Sequence, residues 1–369
     1  TATEHVVTIN GTAQVYPKGS WTEFLINGLD GADQITIIGT EGEESASLDP
    51  GSVTVTGPGY SITAASVETV TVDAGAGAGD TATLHGSTNA NRLYSYADRS
   101  TLSDSPRTFS HRVDGFEIVS VEASANGRDY AYMYDSPAND ILDASPQNVQ
   151  MRRQDGTTTR TVQGFQRVYA YAANGGDDTA TLRGEENARN RYYGYADYSI
   201  LTESRRAFYF YARGFDEVTA TSPGTGYSYA YLHDSSGADA FNATPASAAM
   251  NRAEPWSDTR AEGFMRVYAY STRGGEDTAL LQGNTSGGNY FRAYPTYSTF
   301  TDRVRSFYHY ARGFGHVTAE GSTTDLSGDR AYLYDSRGDD EFQGSGQEAQ
   351  LKDKAGTDYE NIARYFDLV

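Results

Sequence analysis

The chain has 369 residues, a formal net charge of −20, 38% hydrophobic residues and no cysteine. A nucleic-acid backbone and an anionic membrane surface both require a basic face, so the charge argues against either as partner and favours cations, neutral sugars or solubility. Without cysteine there are no disulfides, thiolate metal sites or thiol nucleophiles. No run approaches the roughly 18 to 20 apolar residues of a membrane helix, so no membrane insertion is expected.

The chain opens on TATEHVVTIN, which lacks the basic and apolar stretches of a secretory signal, as a mature secreted chain also would. Lys18, Lys352 and Lys354 are the only lysines, leaving arginine as 26 of the 29 basic residues. An acidic, lysine-poor, cysteine-free composition suits a protein working in salty or calcium-bearing water. Residues 1–30, including WTEFLING, are expected to form N-terminal cap strands. Residues 31–369 are expected to form about seven related half-units.

The half-units show as a repeat. After a degenerate copy at Asp33, the stretches DTATLHG (Asp80), DYAYMYDS (Asp129), DDTATLRG (Asp178), SYAYLHDS (Ser228), EDTALLQG (Asp277) and DRAYLYDS (Asp329) align at spacings of 49, 49, 50, 49 and 52. The phrases GFEIV, GFQRV, GFDEV, GFMRV and GFGHV place Phe116, Phe165, Phe215, Phe264 and Phe314 on the same ruler, 49 or 50 apart. Odd copies carry NRLYSYADRS, NRYYGYADYS and NYFRAYPTYS, starting at Asn91, Asn190 and Asn289, and even copies carry DSPAND, DSSGAD and DSRGDD. The complete period is therefore about 99 residues.

Within each copy, Ala and then Leu or Met recur two apart, with Thr, Tyr or Arg between them, which is the period of a half-buried strand. No stretch keeps a helical period, and Gly, Asp and Ser clusters punctuate the strands. Four or so short strands per 49 residues predict an all-β fold. The favoured form is a right-handed parallel β-helix or solenoid, with linkers forming corners rather than hairpins. A β-propeller of 50-residue blades is the alternative.

Of 29 tyrosines, only Tyr16 and Tyr60 precede residue 81. With Ala131 and Met133 inward, Tyr130, Tyr132 and Tyr134 face outward and should line up with their counterparts as ladders. Tyr96, Tyr195 and Tyr294, together with Tyr132, Tyr231 and Tyr332, are candidate carbohydrate-binding residues, with Arg and Asp to bond hydroxyls or uronates. Stacking that merely stabilises each rung is the competing reading. The turns pair Asp135 with Asp140, Asp234 with Asp239, and Asp335 with Asp340. These are candidate calcium ligands, since calcium collects several oxygens, or else side chains that cap turns by bonding backbone. The G-x-D-x-F phrase resembles part of the calcium-binding nonapeptide repeats of secreted toxins and proteases, although the period there is nine.

Catalytic candidates are fewer. Tyr308, His309 and Arg312 in FYHYARGF supply the residue types of a polysaccharide lyase acting on acidic glycans. Tyr or His would take the proton and Arg would neutralise the uronate. His111 and His309 occupy equivalent positions, but the copy between them has Phe210, which points to packing. No nucleophile elbow, phosphate loop or zinc-protease motif is present.

The phrases DTATL, YLYDS-x-GDD-x-F and GF-x-x-V-x-AY, over roughly residues 66 to 369, resemble the repeat regions of very large extracellular proteins of aquatic bacteria. The resemblance implies secretion or surface display, with a structural, adhesive or matrix role. The partners it implies are polysaccharide or other surface proteins. A filament subunit that self-associates through its end coils is a further possibility.

Overall fold

The computed structural model describes residues 4–9, 12–17, 19, 22–124, 128–224, 226–253, 255, 257–324, 328–355 and 358–369; Trp21 of the expected cap lies outside them. Every regular element among these residues is a strand, and the strands stack into about eight turns of a β-solenoid. Parallel ladders between successive coils replace the blades that a propeller would need. The chain divides into two compact units, residues 1–178 with Phe208–Tyr211, and residues 179–207 with Ala212–Val369.

In the first unit the strand order explains the 49-residue ruler. Three antiparallel strands, Ala90–Ser95, Arg99–Ser105 and Ser110–Asp114, form a meander in one sheet. The chain then crosses to Ile118–Glu122 in the opposite sheet and returns to Tyr130–Tyr134. The next meander, Asp140–Ala144, Val149–Arg153 and Thr159–Gln163, lies in that opposite sheet. Meanders thus alternate between sheets, and one full alternation takes two half-units. Each half-unit supplies five strands rather than the four or so expected, and 99 residues add five strands to each sheet.

The meanders are fold-backs. Ser110–Asp114, not Ala90–Ser95, pairs in parallel with the earlier strand Thr69–Asp73, and Ala90–Ser95 pairs in parallel with the later Tyr130–Tyr134. The chain therefore overshoots by two strand widths and doubles back before crossing. The linkers inside meanders are hairpin turns, contrary to the expectation of corners alone. The Tyr96 N–H donates to Arg99 O at 2.7 Å across one of them.

The second unit follows the same plan. Ala240–Ala243, Ser247–Asn251 and Asp258–Glu262 form one meander, and Asn289–Ala293, Tyr297–Asp302 and Tyr308–Arg312 form the next in the other sheet. In the first unit the hairpin Glu4–Ile9 and Thr12–Pro17 pairs antiparallel onto Gln34–Ile38, while Glu23–Asn27 pairs in parallel with Tyr60–Val67.

Inward residues alternate along each strand. Leu93, Ala131 and Val168 are in register in the first unit and buried, as are Ala230 and Val267 in the second. The GF phrase marks the corner: Phe116, Phe165, Phe264 and Phe314 plug the core. Glycine precedes them for two reasons. Gly164 and Gly313 have φ of 77° and 86°, and a Cβ there would meet the Ala123 and Ser271 carbonyl oxygens of the preceding coil at 2.6 and 2.0 Å.

Candidate functional site

The two sheets present different outer faces. In the first unit one sheet turns Tyr94, Tyr132 and Tyr169 outward at facing register positions, and the other turns out Thr83, Ser120 and Thr161. In the second unit the same contrast holds between Tyr193, Tyr231 and Tyr268 and the Thr181–Thr219 pair. Parallel, in-register pairing makes this unavoidable, because a residue type that recurs at one register position becomes a column.

The columns are stacked rings. Tyr96 lies 4.5 Å from Tyr134 with planes 6° apart, and Tyr134 lies 5.3 Å from Tyr171. Tyr132 sits between Tyr94 and Tyr169 at 5.1 and 5.2 Å. In the second unit Tyr231 sits between Tyr193 and Tyr268 at 5.0 and 5.3 Å, and His233 between Tyr195 and Tyr270 at 4.4 and 5.2 Å. Tyr294 stacks on Tyr334 at 4.3 Å, and Arg292 lies over Tyr332 at 5.6 Å. Each of the six tyrosines expected to meet sugar therefore lies in a ring column of its own unit. Their rings are stacked with aromatic neighbours or, for Tyr332, with an arginine, and interior columns have both ring faces covered. Burial raises the pKa of the Tyr132, Tyr134 and Tyr231 hydroxyls, so the columns carry protonated donors at neutral pH.

Arginines share the face. Arg99 lies 4.3 Å over Tyr96, and Arg167 lies 5.2 Å over Tyr130 while donating to its hydroxyl at 3.0 Å. Beside them an open cavity of about 540 Å³ is lined by Arg92, Arg107, Arg128, Tyr94, Tyr130 and Asn91 among others. The three arginines are exposed, and among the described residues none is ion-paired. Arg107 has φ of 71°, in the left-handed region, and Arg206 and Arg305, each 99 residues further on, have φ of 59° and 58°. Gly or Asn would adopt that backbone at lower cost. Arginine at all three turns indicates that the side chain matters there. Arg160 differs: it is buried and its guanidinium donates to the carbonyls of Tyr96, Ala97, Phe116, Glu117 and Thr159, a structural role.

No protein-family model matches this chain, and no curated protein matches it.

The acidic turns stitch coils together. The buried Asp234 carboxylate accepts the backbone N–H groups of Thr272 and Arg273 from the next coil at 2.6 and 2.5 Å. Asp135 accepts those of Ala173 and Asn174 at 2.9 and 2.7 Å, and the Asn174 side-chain amide as well. Asp140 and Asp239 accept the N–H and hydroxyl of Ser136 and Ser235, closing their own turns. Their backbone N–H groups donate onward, that of Asp140 to Asp178 Oδ1 and that of Asp239 to Asp277 Oδ1, both at 2.7 Å. Asp340 accepts Ser336 in the same way and also the Tyr359 hydroxyl, while Asp335 is exposed. Among the described residues no group of three or more His, Cys, Asp or Glu is arranged to hold a metal ion.

Tyr308, His309 and Arg312 are not brought together. Alternation along Tyr308–Arg312 turns His309 into the core and Tyr308 and Arg312 to the outer face. Burial pushes the His309 pKa down to about 3, and its Nδ1 has no hydrogen-bond partner. Its ring lies 5.0 Å from Phe307, and His111 lies 4.6 Å from Phe109, packing that suits a position occupied by Phe210 in the sister copy. His233 is one ring of a tyrosine column. Of the cavity arginines, only Arg107 had a signal in all three copies of the sequence, the recurrence of SPRTF, SRRAF and RVRSF at 99-residue steps.

Proposed function

We propose that this chain is a structural β-solenoid module of an extracellular or cell-surface protein, and that its tyrosine and arginine face holds acidic polysaccharide. The observation that carries the reading is the set of exposed, unpaired arginines around the 540 Å³ cavity on a chain of net charge −20. Guanidinium groups bond carboxylates in paired, planar fashion. The neighbouring Tyr94 and Tyr130 hydroxyls offer partners for sugar hydroxyls. A polyuronate carries one charge per sugar and many hydroxyls, so it gains from such a face. The surrounding negative charge opposes a denser polyanion such as duplex nucleic acid.

The test is native affinity electrophoresis in gels containing polygalacturonate, alginate or a neutral glucan. Retardation is expected in the first two gels. Replacing Arg92, Arg107 and Arg128 together with Gln should weaken it at least about tenfold, since charge-assisted bonds contribute roughly 1.5–3 kcal/mol each. Equal mobility in all gels overturns the reading.

A second reading, in which the columns serve stability alone, is favoured by the stacking itself. Sugars pack on aromatic faces, and the interior rings cover one another's faces. Tyr→Phe changes at Tyr132 and Tyr231 separate the two readings. Under the second they leave all behaviour unchanged, whereas a hydroxyl-dependent glycan contact is weakened.

A further inference from the structure

We propose that the glycan of this face is one in which uronate and neutral sugars alternate, laid across the strands with one sugar per strand. The proposal rests on the acidic-glycan reading above and narrows it. The column beside the tyrosine stacks is not uniform. In the first unit Arg92, Tyr130 and Arg167 follow one another at facing register positions. In the second unit Arg191, Tyr229, Arg266 and Tyr308 do the same. Arginine therefore recurs on every second strand, with tyrosine on the strand between. The neighbouring column of the first unit has Tyr94, Tyr132 and Tyr169 on the same three strands. The alternation of charge thus belongs to this column and is not forced by the strand repeat.

The arginines of the column are open to a ligand. Among the described residues none of Arg92, Arg167, Arg191 and Arg266 is ion-paired. Arg167 lies over Tyr130 at 5.2 Å and Arg266 over Tyr229 at 5.8 Å, contacts that orient each guanidinium along the column. Arg167 also donates to the Tyr130 hydroxyl at 3.0 Å, which leaves that hydroxyl its own proton for a sugar or acetamido oxygen. Alternate strands stand roughly 9.5 Å apart, and so do the arginines that they carry. An extended pyranose chain advances by about one strand width per sugar. A carboxylate on every second sugar then meets an arginine each time, in paired charge-assisted bonds, and the neutral sugar between meets tyrosine. A carboxylate on every sugar would set a charge against each tyrosine as well, on a chain of net charge −20. Arg107 and Arg128 in the adjoining cavity anchor the glycan, and the columns select its repeat.

The test is calorimetric titration of the full chain with two octasaccharides of equal length at one salt concentration. One alternates glucuronate with N-acetylglucosamine, and the other is β-1,4-linked mannuronate throughout. General charge attraction favours the homopolymer, which carries twice the charge. The column predicts the opposite order, with the alternating octasaccharide bound at least about tenfold more tightly. Arg167→Gln combined with Arg266→Gln should abolish that preference, and an unchanged melting temperature confirms that the variant folds. Equal or tighter binding of the homopolymer by the parent overturns the proposal while the acidic-glycan reading stands. A preference that survives the double substitution also overturns it, because the column then does not select the repeat. A parent that binds neither octasaccharide removes the glycan reading, and this proposal with it.

Discussion

The acidic corners give the most exacting prediction because the molecule contains its own control. Asp234 is buried, and its carboxylate accepts two backbone N–H groups of the next coil at 2.6 and 2.5 Å. Asp234→Ala takes the shared acceptor from two part-buried backbone donors on the exposed residues Thr272 and Arg273. A hydrogen bond to a charged group contributes about 1.5–3 kcal/mol, and water can replace part of it here, so the substitution should destabilise the chain by about 1–3 kcal/mol. Asp234→Asn keeps one acceptor oxygen and should cost about half as much. Asp335 occupies the same place one period later without those donors, so Asp335→Ala should stay within about 0.5 kcal/mol of the parent. Urea denaturation measures all three, and hydrogen exchange at Thr272 and Arg273 should quicken only in the Asp234 variants. A loss below about 0.5 kcal/mol for Asp234→Ala, or equal losses at Asp234 and Asp335, would refute the claim that these carboxylates bind coil to coil.

Further outcomes follow from the same geometry. His309 is held neutral by burial, with its pKa lowered from 6.5 to about 3. The unfolded chain therefore takes up a proton that the fold rejects, and stability is lost as pH falls below about 6.5. His309→Phe should remove that part of the acid sensitivity with no loss of stability, as Phe210 suggests, and a steeper acid transition would contradict this. Asp80 moves the other way. Burial, with the Glu44 and Glu117 charges beside it, raises its pKa from 3.8 to about 6, so the fold keeps a proton that the unfolded chain releases. Its contribution is present below about pH 4 and is lost as pH rises to about 6. Asp80→Asn should flatten unfolding free energy across that window, and an unchanged slope would count against it. Because backbone and hydroxyl donors already occupy the carboxylates of Asp135, Asp140, Asp234 and Asp239, the melting temperature should be the same in millimolar calcium and in chelator; a rise of several degrees with calcium would reassign them as ligands.

The sequence carried more of the fold than of the site. The ruler at Asp80, Asp129 and Asp178 and the Ala–Leu alternation located the strands and their inward faces correctly, since a two-residue period and a fixed repeat leave little freedom once one face is buried. The meanders were hidden because their turns lack the usual marks. Tyr96–Arg99 turns without an Asn-Gly or Asp-Gly pair, and the left-handed positions that glycine usually fills are taken by Arg107, Arg206 and Arg305. The 99-residue alternation was visible, but its cause, a meander that changes sheets every half-unit, needs strand pairing to be seen. At the site, the tyrosine columns could be foreseen from register alone. Stacking that stabilises each rung was one of the two readings open in the sequence, and the ring geometry bears it out. His309 looked like chemistry beside Tyr308 and Arg312 because adjacency in sequence means opposite faces in a strand.

The proposed function is tested most directly by titrating an oligouronate into the protein by calorimetry at two salt concentrations, comparing two sets of three substitutions. Arg92, Arg107 and Arg128 surround the cavity, whereas Arg152, Arg183 and Arg260 lie on strands of the threonine-bearing sheets. Changing either set to Gln removes the same charge. Binding by the parent that weakens with salt, is lost in the first set and is kept in the second is the expected result. Equal losses in both sets would reduce the attraction to general charge, and a parent that releases no heat with any uronate would contradict a glycan-holding face.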